Sequence, residues 1–261
     1  MMEEAERCLK PGGVVIFEDY DIFFCAEDQV RRQAMAESNE NGSWLVRCSH
    51  EMRNGAQSDL TGMDKALDEG LWDHPLCDPE TAVAASLFLP IGPWPTVPDR
   101  RKTEEMRFAG ALIRQDYTSA FRAVIPIYLK MGVPQDVMNR WTPLVENELS
   151  TSKPHMWSRT PMCWARRRAA PGKPAPPLAN VPRSQPEEVE TRPNAYSSSE
   201  DTSSSGLKDY NFLHIYRTQA ECLAAAEFRN ASMGPTPIPW VVKARQKAEE
   251  AAAAAAGNPS Q

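Results

Sequence analysis

The chain has 261 residues and carries a formal net charge of −6 at pH 7. An acidic balance disfavours a broad phosphate-binding surface, so we expect no nucleic-acid partner. The first residues lack an apolar segment, and no apolar run approaches the roughly 20 residues that cross a bilayer. We therefore expect no membrane association and a cytoplasmic or nuclear location.

The composition predicts a folded part joined to a disordered part. Hydrophobic residues make up 41% of the chain and proline occurs 23 times, a combination that favours partial disorder. The six cysteines are scattered and form no C-x-x-C pair, which indicates free, mostly buried thiols in a reducing compartment. The four histidines are equally dispersed, so the sequence predicts no metal site.

The stretch "CLKPGGVVIFEDYD" predicts a helix end, a tight turn and a strand. A helix over 3–9 stops before Pro11, because proline disfavours helical geometry at the residue that precedes it. Gly12 and Gly13 suit a tight turn. The unalternating apolar run 14–17 predicts a central strand that is covered on both faces.

Weaker patterns follow between residues 26 and 95. "AEDQVRRQAMAESNENG" predicts a helix with a charged face that stops at 41–42, and "DLTGMDKALDEGLW" predicts a short helix that ends near Gly70. "AVAASLFLPIGPWP" predicts a second strand, which its prolines force to end as an irregular edge segment.

The clearest helical pattern covers 103–132, where apolar residues recur at helical spacing and Pro126 predicts a kink. A second helix is predicted over 135–149. Its predicted buried residues are Val137, Trp141, Leu144, Val145 and Leu149. Alternating large apolar residues over 155–168 predict a closing strand that ends in a basic cluster.

The composition changes after residue 168, which predicts three parts: a folded domain over 1–168, a disordered Pro/Ser-rich linker over 169–207, and a final part over 208–261. The linker has too little apolar surface to offset its ordering entropy. The final part predicts either one helix or a short strand and helix, followed by an exposed Ala-rich tail.

Three acids lie at the carboxyl end of the first predicted strand: Glu18, Asp19 and Asp21. In open α/β sheets ligands bind beyond this end of the strands, so these acids could line a pocket. The alternative is that they are solvated acids in a loop. Neither interpretation assigns a catalytic role to any of the three acids.

"LKPGG", followed by an apolar strand and acids, resembles the fifth-strand region of class I S-adenosylmethionine-dependent methyltransferases. "LFLPIGPWP", "IRQDYTSAFRAVIP", "LKMGVPQDVMNRW" and "ELSTSKPHMWSRTPMCWARRR" then look like the C-terminal half of fungal methyltransferases that act on small molecules or belong to secondary metabolism. The resemblance covers 1–168. It implies an α/β fold with a partial Rossmann-like sheet and inserted helices.

The resemblance also implies S-adenosylmethionine as cofactor and a small-molecule methyl acceptor. Members of the family bind the cofactor mainly through their first half, with a glycine-rich loop and an acid that holds the ribose. Nothing in this sequence matches either feature, so no catalytic, cofactor-binding or metal residue is carried over. We expect a fragment truncated at its N-terminus, with an exposed sheet edge that favours self-association or a protein partner.

Three functions remain open from the sequence. The chain is an incomplete methyltransferase, a catalytically inactive remnant that acts as an interaction module, or a nuclear regulatory relative. "RRR" at 166–168 together with Lys173 is either a weak nuclear signal or a solvated strand end. Four aromatic residues could form a wall for a flat acceptor, or could simply pack in the core: Trp72, Phe88, Trp94 and Tyr117.

Overall fold

The structure, a computed structural model, describes residues 2–19, 24–36, 41–55, 66–177, 212–231 and 238–256. The helices are α1 (Met2–Cys8), α2 (Trp44–Gly55), α3 (Arg100–Lys130), α4 (Gln135–Thr151), α5 (Gln219–Asn230) and α6 (Trp240–Ala256). The strands are β1 (Val14–Glu18), β2 (Cys77–Pro90), β3 (Trp157–Arg167) and β4 (Leu213–Tyr216). A short helical turn lies at 66–69.

The four strands form one sheet in the order β1-β3-β2-β4, and every neighbouring pair is antiparallel. Both β1 and β2 run opposite to β3, so these two strands point in the same direction on either side of it. The register places Phe17 beside Cys163 and Cys163 beside Ala84, which aligns one buried row across three strands. The mixed helix-and-sheet class predicted from the sequence is confirmed.

The predicted position of the first strand is wrong, although its existence is confirmed. β1 lies at the edge of the sheet, paired with β3 alone among the described strands. Val15 and Phe17 are buried, whereas Val14 is 50% exposed and Ile16 is 65% exposed. β1 is therefore covered on one face only, and the described residues do not surround it with a parallel Rossmann-like sheet. Among the described strands the outer side of β1 has no partner, and the expectation that this edge favours association stays a prediction.

Two larger clusters and a small aromatic one form the core. One large cluster lies under a single face of the sheet, where Val15, Phe17 and Cys163 meet Leu71 and Cys222. The other lies between helices α2, α3 and α4; its buried members include Leu45, Phe121, Tyr128, Val137, Met138, Val145 and Leu149. Helical spacing on α3 and α4 produces this second cluster, because each helix presents one apolar stripe to its neighbours.

Helix α2 begins at a carboxylate supplied by another helix. Glu148 of α4 accepts the backbone N–H groups of Trp44 at 2.8 Å and Leu45 at 3.1 Å, and the Ser43 hydroxyl at 2.7 Å. The Ser43 oxygen in turn accepts the N–H of Val46 at 3.2 Å. The first-turn donors of α2, which have no partners within the helix, are thus satisfied by one local and one distant residue.

Helix α6 begins in the same manner. The backbone N–H of Trp240 donates to Glu51, a residue of α2 that is only 1% exposed, at 2.8 Å. Arg47 forms an ion pair with the same carboxylate at 2.5 Å. The last helix is therefore tied to the folded domain at its start, while the side chains described along 245–250 are exposed.

The helix predicted over 26–42 is wrong for its described part. Cys25 exchanges two backbone hydrogen bonds with Trp157, at 3.0 and 2.8 Å, and also pairs with Arg31. A tight turn closes this small hairpin, in which Ala26 N–H donates to the Val30 carbonyl at 2.8 Å. Pairing with the start of β3 thus overrides a weak local helical preference.

The remaining predicted elements are largely confirmed. Helices α3 and α4 and strand β3 lie close to their predicted positions. Strand β2 begins earlier than predicted, at Cys77, and the edge position predicted for its end is wrong, because β2 lies between β3 and β4. The short helix predicted to end near Gly70 is present at 66–69, and the rest of that prediction, 59–65, lies outside the described residues. Leu144 is an exception, because it is 39% exposed rather than buried. After the linker, a strand and a helix form, and β4 adds to the sheet beside β2.

Residues 178–207 of the predicted linker lie outside the described residues, as do 208–211, 232–237 and 257–261 of the predicted final part. The prediction of free thiols is confirmed: of the six cysteines, only Cys8 is exposed. Along the described parts of the chain, every helix is too short or too polar to span a membrane.

Candidate functional site

An open pocket of about 530 Å³ lies beyond the carboxyl end of β2, next to the start of β3. It is lined by residues from two segments: Ala26, Glu27, Asp28 and Arg32 from one, and Lys153, Pro154 and His155 from the other. Its volume is in the range of small-molecule sites. The pocket therefore lies where the end of β2 meets the start of β3.

The hairpin after Cys25 positions the acidic side of the pocket. Gln29 has a positive φ of 65° and donates its N–H to the Ala26 carbonyl at 2.9 Å, which closes the turn. Asp28 accepts the N–H of Val30 at 3.1 Å. These bonds fix the backbone around Glu27, so its side chain is presented from a defined turn.

Glu27 and His155 form a carboxylate–imidazole pair. Glu27 Oε1 lies 2.6 Å from His155 Nδ1, and the two side chains are 34% and 35% exposed. The indole of Trp94 stacks on the imidazole, with ring centroids 4.4 Å apart and an angle of 8° between the planes. When Nδ1 carries the proton and donates it to Glu27, Nε2 is the proton-accepting nitrogen.

Two basic residues complete the pocket. Arg32 is partly buried; burial lowers the pKa of its guanidinium, and the carboxylates of Glu148, Asp28 and Glu27 oppose this effect. Its Nη2 makes a long contact, 3.4 Å, with the carbonyl of Asn41. Lys153, which is exposed, belongs to the second lining segment.

The acids predicted to line a pocket do not line this one. Glu18 and Asp19 are exposed at the end of β1, and Asp21 lies outside the described residues. The Glu27–His155 pair was not predicted. Its two members are 128 residues apart, so no local spacing signals it.

The predicted aromatic wall does not form, and core packing is confirmed. Trp72 packs against the cluster under the sheet, and Tyr117 packs against the helical cluster. Phe88 and Trp94 belong to a third cluster around Trp157. Tyr117 also shares a 2.6 Å hydrogen bond with the Ser158 hydroxyl, which joins α3 to β3.

A second charged cluster is structural. Asp68, in the turn at 66–69, lies 2.9 Å from Arg159 of β3, 3.0 Å from Arg229 of α5 and 3.5 Å from Arg31. Burial alone acts to raise the pKa of Asp68, but the three guanidiniums hold it below its usual range. Because Arg159 and Arg229 are almost completely buried, this cluster connects three elements rather than forming an accessible site.

The described residues do not fit an S-adenosylmethionine site. Gly92 follows the end of β2 and has a positive φ of 113°, but the space that a Cβ would take there is occupied by the Ser152 hydroxyl. Within the described ranges, no group of three His, Cys, Asp or Glu side chains is arranged to hold a metal ion.

Comparison of the chain with protein-family models, with curated proteins and with solved structures finds no match.

Proposed function

We propose that this chain forms the acceptor-binding part of a class I S-adenosylmethionine-dependent methyltransferase domain that acts on a small molecule. One observation carries the proposal: β3 is inserted antiparallel between β1 and β2, which point the same way. β1 is the strand that resembles the fifth strand of these enzymes, and among the described strands it bonds to β3 alone, while β4 joins the far side of β2. The "LKPGG" turn before β1 resembles the turn before that fifth strand.

The proposal gives the open edge of β1 a role. In a complete sheet of this family, the edge beside β1 pairs with the strands that carry the cofactor site. Such pairing satisfies the backbone groups along the edge, and the accompanying helices cover Val14 and Ile16, which are exposed in this chain. Since the described residues do not fit the cofactor, its site belongs to a segment or partner that completes the sheet.

The proposed chemistry of this chain is proton removal from the acceptor. Glu27 orients His155, and Nε2 then accepts the proton of an acceptor hydroxyl or amine. Trp94 holds the ring in place by stacking, so the base keeps its orientation before the acceptor arrives.

The alternative function is a catalytically inactive interaction module. The exposed apolar side chains on the outer face of β1 favour it, because contiguous apolar surface often marks a protein interface. In this case the Glu27–His155 pair has no catalytic role.

Calorimetric titration of the purified chain with S-adenosylmethionine tests whether this chain binds the cofactor by itself. We expect no stoichiometric binding at micromolar concentration, because the residues that would hold the cofactor are not among those described. Stoichiometric micromolar binding to this chain alone would contradict the proposal.

Sequencing of the natural transcript upstream of Met1 separates the two functions. An in-frame glycine-rich segment after a predicted strand supports the enzyme. A transcript without such a segment contradicts it and favours the interaction module.

A further inference from the structure

We infer that the pocket between 26–32 and 153–155 binds a small molecule that carries one carboxylate, held by Arg32 and Lys153, and a hydroxyl placed against His155. Describing this ligand as a methyl acceptor rests on the proposed function. The binding itself does not, and it is tested without any cofactor.

The hydrogen-bonding capacity of the acids in the pocket is already used in part. Glu27 is engaged by His155 at 2.6 Å, and Asp28 accepts the N–H of Val30 at 3.1 Å. Glu148, the third carboxylate near Arg32, is occupied by three donors at the start of α2.

The basic groups, in contrast, retain free donors. Arg32 Nε is buried and has no hydrogen-bond partner in the part of the chain that the structure describes. A buried donor without an acceptor is unfavourable, so an acceptor supplied by a ligand is stabilising there. Lys153 likewise forms no ion pair with a described residue, and its exposed ammonium can reach a ligand at the pocket mouth.

The charges that line the pocket disfavour a dianion. Arg32 and Lys153 supply two positive charges, but Glu27 and Asp28 line the same pocket. A dianion such as phosphate is repelled by these carboxylates, whereas a planar carboxylate can take a bidentate position on the guanidinium. A second polar group on the ligand then meets His155, whose Nδ1 is committed to Glu27.

Calorimetric titration of the full chain with 4-hydroxybenzoate tests the inference, with inorganic phosphate as the second probe. We expect saturable millimolar or tighter binding of 4-hydroxybenzoate and much weaker binding of phosphate. Arg32→Gln is expected to weaken 4-hydroxybenzoate binding about tenfold or more, because one charged hydrogen bond is lost. Lys153→Gln, at an exposed position that the fold does not need, is expected to weaken it severalfold.

Arg100→Gln is the matched control, since the Arg100 side chain is 92% exposed and lies outside the pocket. It should bind like the wild type. Circular dichroism establishes that each variant is folded. The inference is overturned if the wild type shows no saturable binding of 4-hydroxybenzoate, if phosphate binds equally well, or if folded Arg32→Gln and Lys153→Gln both bind with unchanged affinity.

Discussion

Asp68 shows how much of this fold depends on single charged side chains. One carboxylate lies within 3.5 Å of three guanidiniums that come from the 24–36 segment, from β3 and from α5. Arg159 also bonds to the Ser86 hydroxyl at 3.0 Å, which ties the cluster to β2. Removing the negative charge of Asp68 leaves buried guanidiniums without a carboxylate partner. The stability lost by breaking a buried ion pair is usually larger than that lost by breaking one at the surface.

Asp68→Asn is therefore expected to lower the free energy of unfolding at pH 7 by about 3 kcal/mol. Asp136→Asn is the matched control, because Asp136 pairs with Arg140 at an exposed position. The control should lose less than about 1 kcal/mol. Urea denaturation of both variants measures the difference, and equal losses would contradict the structural role of Asp68.

The same residue predicts a dependence on pH. The folded-state pKa of Asp68 is depressed, so the unfolded chain takes up the proton first as the pH falls. Its contribution to stability is complete above the ordinary pKa of about 4 and is lost as the pH falls from there through the folded-state pKa. The stability of Asp68→Asn should decline less steeply than that of the wild type below about pH 4.

Helix α2 depends on a residue that is distant in sequence. Its first two backbone donors are satisfied by Glu148, which is 103 to 105 residues away from the groups it accepts. A glutamine at this position keeps only one acceptor oxygen and places an NH₂ group near backbone donors. The start of α2 is then left with unsatisfied buried groups.

Glu148→Gln is expected to lower the free energy of unfolding by about 2–3 kcal/mol, as measured by urea denaturation. Glu146→Gln is the control on the same helix, because Glu146 pairs with Arg122 at the surface. That change should cost less than about 1 kcal/mol. A loss in Glu148→Gln no greater than in Glu146→Gln would show that the cap is dispensable.

The elements that the sequence predicted well are those with a strong local pattern. Helices α3 and α4 follow from apolar residues at helical spacing, and β3 follows from alternation. The segment 26–36 was mispredicted because its conformation is set by pairing of Cys25 with Trp157, which no local pattern encodes. The Glu27–His155 pair was missed for the same reason.

The position of β1 illustrates a different limit. A continuous apolar run predicts a strand, but it does not reveal which of its faces is covered. In the structure Val15 and Phe17 are buried while Val14 and Ile16 are exposed. The composition of the run is that of a strand with two covered faces, although the described residues cover only one.

At the scale of the whole molecule, the outer face of the sheet carries apolar side chains that the described residues leave exposed. Ile16, Trp164 and Val83 lie side by side on neighbouring strands and form an apolar row. Ile215 on β4 is 49% exposed. Apolar rows at an open sheet edge favour association with another chain. We expect the purified protein to associate as its concentration rises.

Ile16→Lys is expected to shift the protein toward the monomer in sedimentation velocity experiments, because a charged residue on an edge strand opposes edge-to-edge pairing. Its stability should change by less than about 0.5 kcal/mol, since Ile16 is 65% exposed. Phe108→Lys is the control, because Phe108 is 68% exposed on α3. Equal association of the wild type and Ile16→Lys would exclude this face as the interface.

The central position of β3 determines when the strands of the sheet can pair during synthesis. Neither β1 nor β2 bonds to the other, and both bond to β3, which is synthesised after them. On the ribosome, β1 therefore has no partner from the described sheet until residue 167 has emerged. Throughout that interval the apolar side chains of β1 lack the pairing with β3 that orders them in the folded chain, and this period is when they are most exposed to misassembly.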